Sequence, residues 1–458
     1  MRSALDKELL RLAIPSILAN LTVPLVGLVD TAVAGHLPGA AGSAAFIGAI
    51  SVGGMMFNLL YWNFGFLRTG TGGLTAQAFG RAKVMGEGAE RECGRILGRG
   101  LGLALLFAAA VLLLQWPFAK LALLLVSSSR DVVSLAREYF FIRVWAAPAT
   151  LSLMAFRGWF IGMQDSRSSM WTDFVVNGVN IAASILLGIG AFGWPGLGFA
   201  GIAWGTVIAQ YSGLAYAAIR TRRRYGNVFK GLEIKDFIGS KGETRAFFSL
   251  NADLFLRSLC MTLIYVGFTA LATRLGDMML ACSGIMMNLL MVFSYFTDGF
   301  AYAGEALTGR FIGERNEGML RREVKAVFVW SMGVALFWVG IYIAAGTPLL
   351  RLMTSDPEVV QACRQFLPWL ILMPPIGCAA FTWDGVYIGA TASKGIRDAM
   401  FCALASFFAV WFAGKLLCSP QGAAGMHLLM GAYFAHLLAR TVWLSARYRS
   451  DIRIPAAA

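Results

Sequence analysis

The fold is decided by the stretch Leu9-Leu-Arg-Leu-Ala-Ile-Pro-Ser-Ile-Leu-Ala-Asn-Leu-Thr-Val-Pro-Leu-Val-Gly-Leu-Val-Asp-Thr-Ala-Val-Ala34. Between Arg11 and Asp30 it holds no charged residue. A helix of about 20 such residues crosses the hydrocarbon core of a bilayer. The run is too long for the apolar part of a signal peptide, and it contains an acid near its end, so it reads as a permanent first span and not as a cleaved leader. Working outward, eleven more apolar segments of similar length follow, at about 44–67, 95–118, 133–154, 170–190, 197–219, 254–272, 279–303, 326–346, 366–390, 399–418 and 424–445. The composition agrees. Of 458 residues, 58% are apolar and 14% charged, against about 25% charged in a typical soluble domain. This excludes a soluble enzyme, a disordered chain and a secreted disulfide scaffold. A β-barrel would alternate apolar and polar residues with period two, and Leu101–Leu114 and Leu121–Val126 do not. The expected fold is an all-α polytopic membrane protein of twelve transmembrane helices.

The net charge of +14 could point to nucleic acid or to a membrane surface, and the distribution decides. Most of the 39 Lys and Arg fall on one set of loops, among them Arg81, Arg91, Arg167, Arg222, Arg223, Arg224, Lys230, Arg315, Arg321, Lys394 and Arg447. The opposite set holds Lys120, Arg130, Arg137, Arg143, Arg274, Arg351 and Arg364. This asymmetry is the positive-inside pattern. It places both termini in the cytoplasm and makes Arg222–Arg224 a topology signal, with no nucleic-acid partner. The seven cysteines show no CxxC spacing, and His36, His427 and His436 are scattered. No disulfide, metal site or cofactor is expected.

The two halves of the chain repeat. At one constant offset Val132-Val133 falls on Val359-Val360, Arg137 on Arg364, Pro148 on Pro375, Gly158-x-x-Ile161-Gly162 on Gly385-x-x-Ile388-Gly389, and Ser166-Arg167 on Ser393-Lys394. A second block pairs Tyr61 with Tyr295, Gly65-Phe66 with Gly299-Phe300 and Gly70 with Gly304; one residue of slip later, Leu74-Thr75 meets Leu307-Thr308. Six spans followed by six give a parallel repeat. The expected organisation is two pseudo-symmetric six-helix bundles: an N-terminal lobe at 1–219, a basic cytoplasmic linker at 220–250 and a C-terminal lobe at 251–458. The GxxxG pairs Gly94/Gly98, Gly158/Gly162, Gly309/Gly313 and Gly385/Gly389 read as close helix packing. Pro15, Pro24, Pro148 and Pro374 read as sites of helix bending.

A carboxylate at mid-bilayer costs about 2.5–3.5 kcal/mol on insertion scales, so acids inside spans mark functional candidates. In the first half Ser16, Asn20, Gly27 and Asp30 form a small and polar stripe, with no basic residue within a turn of Asp30. Burial disfavours the charged form of a carboxyl, which suits such a group to binding and releasing a proton. Asp173, Asn177, Asn180 and Ser184 share one helix face, where the amides could bond Asp30, coordinate a cation or simply join helices. Asp173 reads as a solvated end residue. In the second half the candidates are Asp253, Arg257, Asn288, Asp298, Glu305 and Asp384. Asp253 and Arg257, four apart, read as a mutual ion pair. Glu305 is spaced to pair with Arg310. Asp384 aligns with Arg157, which suggests a brace or gate between the halves.

Leu28-Val-Asp-Thr-Ala-Val-Ala-Gly35, Gly65-Phe-Leu-Arg-Thr-Gly70 with Ala76-Gln77, Asn177-Gly-Val-Asn180-Ile, Asp298-Gly-Phe-Ala and Asp384-Gly-Val-Tyr-Ile-Gly389 resemble the DinF-like branch of the multidrug and toxic compound extrusion (MATE) family, over essentially the whole chain. The resemblance implies two six-helix lobes around a central cavity and antiport of organic cations against protons or sodium. It implies that Asp30 is the proton or sodium site of the first lobe and that the first span bends, with Pro24 where a bend would fall. It carries Asn180 and Thr206 into that site. Relatives place a further Asp four residues after the Asn; here Ser184 stands there, which favours protons over sodium. The expected function is a secondary antiporter that exports amphipathic, often cationic compounds, from a monomer in a bacterial inner membrane. The alternatives are a lipid-linked sugar flippase of the same superfamily, whose diphosphate would want a basic cavity, an integral-membrane enzyme, which would want clustered histidines and acids, and a channel.

Overall fold

The computed structural model describes residues 2–37, 42–86, 89–124, 129–190, 193–233, 236–237, 241–418 and 420–452. Of the expected linker, residues 234–235 and 238–240 lie outside the described residues. Regular structure among the described residues is helical. The long helices are α1 (Arg2–His36), α2 (Gly42–Tyr61), α3 (Phe66–Met85), α4 (Glu90–Leu113), α5 (Gln115–Leu124), α6 (Arg130–Arg143), α7 (Ala147–Gly162), α8 (Ser166–Gly188) and α9 (Phe199–Tyr225), then α10 (Lys241–Thr273), α11 (Asp277–Gly313), α12 (Glu317–Met353), α13 (Pro357–Arg364), α14 (Leu367–Gly389), α15 (Ser393–Cys418) and α16 (Gly422–Asp451). Single 3-10 turns, Trp62–Gly65 and Val144–Ala146, join α2 to α3 and α6 to α7.

Among the described residues eleven helical stretches are long and apolar enough to cross a membrane. The twelfth expected span is α9, whose Gly, Ser, Thr and Gln residues make it less apolar. Helix α1 runs unbroken through Pro15 and Pro24.

By contact the chain divides into Leu18–Thr244 and a second unit made of Met1–Ile17 with Arg245–Ala458. The start of α1 thus packs in the second unit. Gly299 of α11 lies against Ala13 and Ile17, the indole of Trp330 donates to Asp6 at 3.0 Å, and Arg310 pairs with Glu8.

Within each unit the helices pair the same way: α3 with α7 and α8 with α9 in the first, α11 with α14 and α15 with α16 in the second. Glycine makes the first of these contacts in both. A Cβ on Gly158 would stand 2.0 Å from the Arg68 carbonyl oxygen, and one on Gly385 would stand 2.1 Å from that of Ala301. One turn on, Gly162 faces the Gly72 carbonyl and Gly389 that of Glu305. The turns that follow also match. Gln164 and Thr391 both have φ near +55° (57° and 55°). The next amides, of Asp165 and Ala392, reach back to Phe160 and Tyr387 at 2.8 and 3.0 Å. This is the helix-ending pattern in which one left-handed residue lets two amides satisfy the last carbonyls. The repeat read from side chains is therefore also a repeat of backbone geometry. One GxxxG pair departs from its reading as helix packing. Gly94 and Gly98 receive Val228, Leu232 and Phe237 of the segment after α9, not another span. Side chains from that chain segment fill the groove that the two glycines leave.

The second unit's core is rich in aromatic and sulfur side chains, including Phe268, Met286, Phe293, Phe366, Met400, Phe407 and Met426. The first unit's core centres on Trp159 and Phe160, with the Trp159 indole donating to the Cys93 carbonyl at 2.8 Å.

Candidate functional site

In the first unit the polar residues of α1, α8 and α9 converge. Asp30 is 5% exposed. The Ser184 hydroxyl donates to its Oδ1 at 2.9 Å. Among the described residues Asp30 makes no salt bridge. One helical turn along α8, the Asn180 amide donates to Thr206 Oγ1 at 3.0 Å. Asn180 Oδ1 is buried and has no hydrogen-bond partner among the described residues. A further turn along, Asn177 donates to Thr22 Oγ1 at 2.5 Å. Neither amide is bonded to Asp30, so among the expected partners Ser184 provides the direct bond. Gly205 is what lets α9 come this close. A Cβ there would lie 2.8 Å from the Ser184 amide nitrogen and 2.9 Å from its Oγ.

The composition of the site has one member that loop counting hides. Arg143, placed above with the loop charges, is the last residue of α6 inside a membrane-crossing stretch. Its guanidinium donates to the Tyr139 hydroxyl at 2.9 Å and lies over the Phe57 ring at 4.6 Å. The Tyr139 ring lies against Phe199 of α9, centroids 5.9 Å apart, which sets the Tyr139–Arg143 pair beside the helix that carries Thr206. The position of Arg143 inside the apolar run 133–154 is the signal for it.

The second unit handles its acids differently. Asp253 and Arg257 do not pair with each other. Asp253, 6% exposed, takes Arg397 at 2.7 Å and the Ser393 hydroxyl at 2.8 Å, both from the first turns of α15. Arg257 pairs with Asp384 of α14. Each finds a better-placed partner on a facing helix than on its own, where a pair four residues apart gains only about 0.2–0.5 kcal/mol. Asp384 also takes the fully buried Arg440 of α16 at 2.8 Å. Arg157, which the repeat aligns with Asp384, holds Asp173 of its own unit at 2.6 Å. Asp173 is accordingly ion-paired and partly buried, where solvation was expected. Asn288 is exposed and Asp298 half-buried. Glu305 is fully buried, while Arg310 is held by Glu314 and Glu8. Glu323, near the start of α12, escapes a reading of helix ends as solvated. It is wholly buried and accepts from the Thr308 hydroxyl at 2.9 Å. Arg440 escapes the same way, although it lies inside the apolar run 424–445.

With this geometry in hand, the comparisons with known proteins are direct. The MatE family model matches residues 15–186 and 254–413. The chain belongs to the MatE family. It is 35% identical to the DNA damage-inducible protein F of Escherichia coli K12 over 98% of its own length and 93% of that protein's. It is 27% identical to a probable multidrug resistance protein NorM of Caulobacter vibrioides, over 85% of this chain and 78% of that one. A crystal structure of a Vibrio cholerae MATE transporter in the bent form shares the fold at a TM-score of 0.81, with 18% identity and coverage of 99% and 98%. The two matched blocks of the MatE model fall one in each half of the chain, as the repeat requires. This MatE chain is a multi-pass membrane transporter and not an enzyme.

Proposed function

We propose that the chain is a secondary antiporter that exports amphipathic, often cationic organic compounds in exchange for protons, by alternating access of two six-helix lobes joined by the 220–250 segment. It works as a monomer in a bacterial inner membrane with both termini cytoplasmic, the orientation that the positive loops favour. The observation that carries the coupling role is Asp30: buried, with a hydroxyl as its bonded neighbour and no salt bridge among the described residues. An acid in that setting can gain or lose a proton without stranding a paired cation. Protonation and substrate must favour different conformations, since a ligand shifts an equilibrium only by its differential affinity.

Sodium is the second reading, and one observation favours it. Asn180 Oδ1 is buried with no partner among the described residues, and with Asp30, Ser184 and Thr206 it offers oxygens to a cation. The set contains a single carboxylate, which supports protons first. The test is export of a fluorescent organic cation from proteoliposomes under an imposed proton or sodium gradient, in wild type and Asp30→Asn. The proton reading requires export driven by the proton gradient alone and lost in the variant. Export that needs sodium would replace it with the second reading, and undiminished export by Asp30→Asn would remove Asp30 from the mechanism.

A further inference from the structure

The cavity at the end of α9 in the first unit is not accounted for by the transport site. It has a volume of about 700 Å³, and its lining includes the apolar Leu97, Leu101 and Phe156 and the basic Arg222, Arg223 and Lys230. The apolar residues come from α4 and α7, two membrane-crossing elements. The basic residues come from the last turn of α9 and from Lys230, which caps the short turn Gly226–Phe229 that follows. The fourth cation of the lining, Arg224, is already committed to Asp165 at 3.1 Å. Arg222, Arg223 and Lys230 are exposed and make no ion pair among the described residues. Thr221 is also in the lining, 5% exposed, and its hydroxyl is buried without a hydrogen-bond partner among the described residues.

A topology signal explains three cations in a row. It does not explain why they line a cavity together with apolar side chains of two membrane-crossing helices, nor why a buried hydroxyl in that lining has been left without a partner, which ordinarily costs about 1–3 kcal/mol. We infer that this cavity is a binding site for the headgroup of an anionic phospholipid. Phosphate oxygens accept from Arg222, Arg223, Lys230 and the Thr221 hydroxyl, and the acyl chains run along Leu97, Leu101 and Phe156. Charge complementarity selects an anion, and the apolar side chains select a lipid over a free phosphate, which has nothing to place there. Basic pockets between spans on the cytoplasmic side are suited to such headgroups. The inference rests on the chain lying in a membrane, and it is independent of the coupling ion.

Native mass spectrometry of the detergent-purified full chain tests it, with phosphatidylglycerol and phosphatidylcholine of identical acyl chains as probes. Wild type should retain phosphatidylglycerol and shed phosphatidylcholine. The triple variant Arg222→Gln, Arg223→Gln, Lys230→Gln should lose about a hundredfold in affinity for phosphatidylglycerol, at about fivefold for each cation. Arg447→Gln with Arg449→Gln, which removes two cations elsewhere, should bind as wild type does. Because three lost charges can disturb insertion, Thr221→Val is the second variant: it changes no charge and should weaken phosphatidylglycerol binding about fivefold. Equal retention of both lipids, unchanged binding in Thr221→Val, or displacement of the lipid by millimolar inorganic phosphate would overturn the inference, the last in favour of a free-phosphate site.

Discussion

Asp30 in the first unit and Asp384 in the second are nearly equal in burial, 5% and 6% exposed, and opposite in company. Asp384 lies between two guanidinium groups, Arg257 and Arg440. Asp30 has a serine hydroxyl as its bonded partner and makes no salt bridge among the described residues. Two similar bundles thus solve the cost of a buried acid in two ways. In the second unit the acid is held between two cations and braces α10, α14 and α16. In the first unit the acid has a hydroxyl in place of a cation, the setting on which the proposed proton role rests. The repeat supplies the scaffold twice, and the difference in partners assigns the work.

The comparison can be broken most severely at Arg440. Replacing it with Met leaves Asp384 buried with one cation fewer. Removing one partner of a buried pair typically costs about 3–5 kcal/mol, so thermal unfolding in detergent should show a large loss of stability for Arg440→Met. Asp30→Asn strands no paired cation and should leave the unfolding temperature close to wild type. A smaller effect comes from the shared packing. Gly158→Ala and Gly385→Ala each drive a methyl group into a carbonyl of the facing helix, and each should cost about 1–3 kcal/mol. Similar losses for the two are expected if the repeat is one of backbone geometry; a loss in one alone would show that the second contact is incidental. The smallest effect sharpens the contrast between the acids. Ser184→Ala removes a donor from Asp30 and Ser393→Ala removes one from Asp253, at about 0.5–1.5 kcal/mol each. Only Ser184→Ala should shift the pH dependence of transport, because Asp253 keeps Arg397.

Much of this was legible in the sequence. Apolar runs of spanning length gave the helices, since a bilayer imposes one length on all of them. The glycine motifs gave the repeat, the polar stripe of the first span gave Asp30, one face of a later span gave Asn177, Asn180 and Ser184, and the family resemblance alone gave Thr206. What stayed hidden was partnership. Which facing helix meets Asp253, Arg257 or Asp384 depends on helix rotation, and spacing along one helix does not report it. Arg143 and Arg440 were obscured for a related reason. A lone arginine counted with the loop charges by the alternation of sides is placed inside a span only when its helix is seen to run through it. Glu323 looks like a solvated first-turn residue until Thr308 is found against it.

The proposed coupling role of Asp30 rests on its having a hydroxyl partner where Asp384 and Asp253 have cations. A hydrophobic carbodiimide reacts with protonated carboxyl groups in apolar surroundings, and peptide mass spectrometry locates the adduct. Applied to the purified protein across a pH series, it should label Asp30, less as the pH rises, and leave Asp384 and Asp253 unmodified. Labelling of Asp384 to the same extent as Asp30, or none at Asp30 at any pH, would contradict the account.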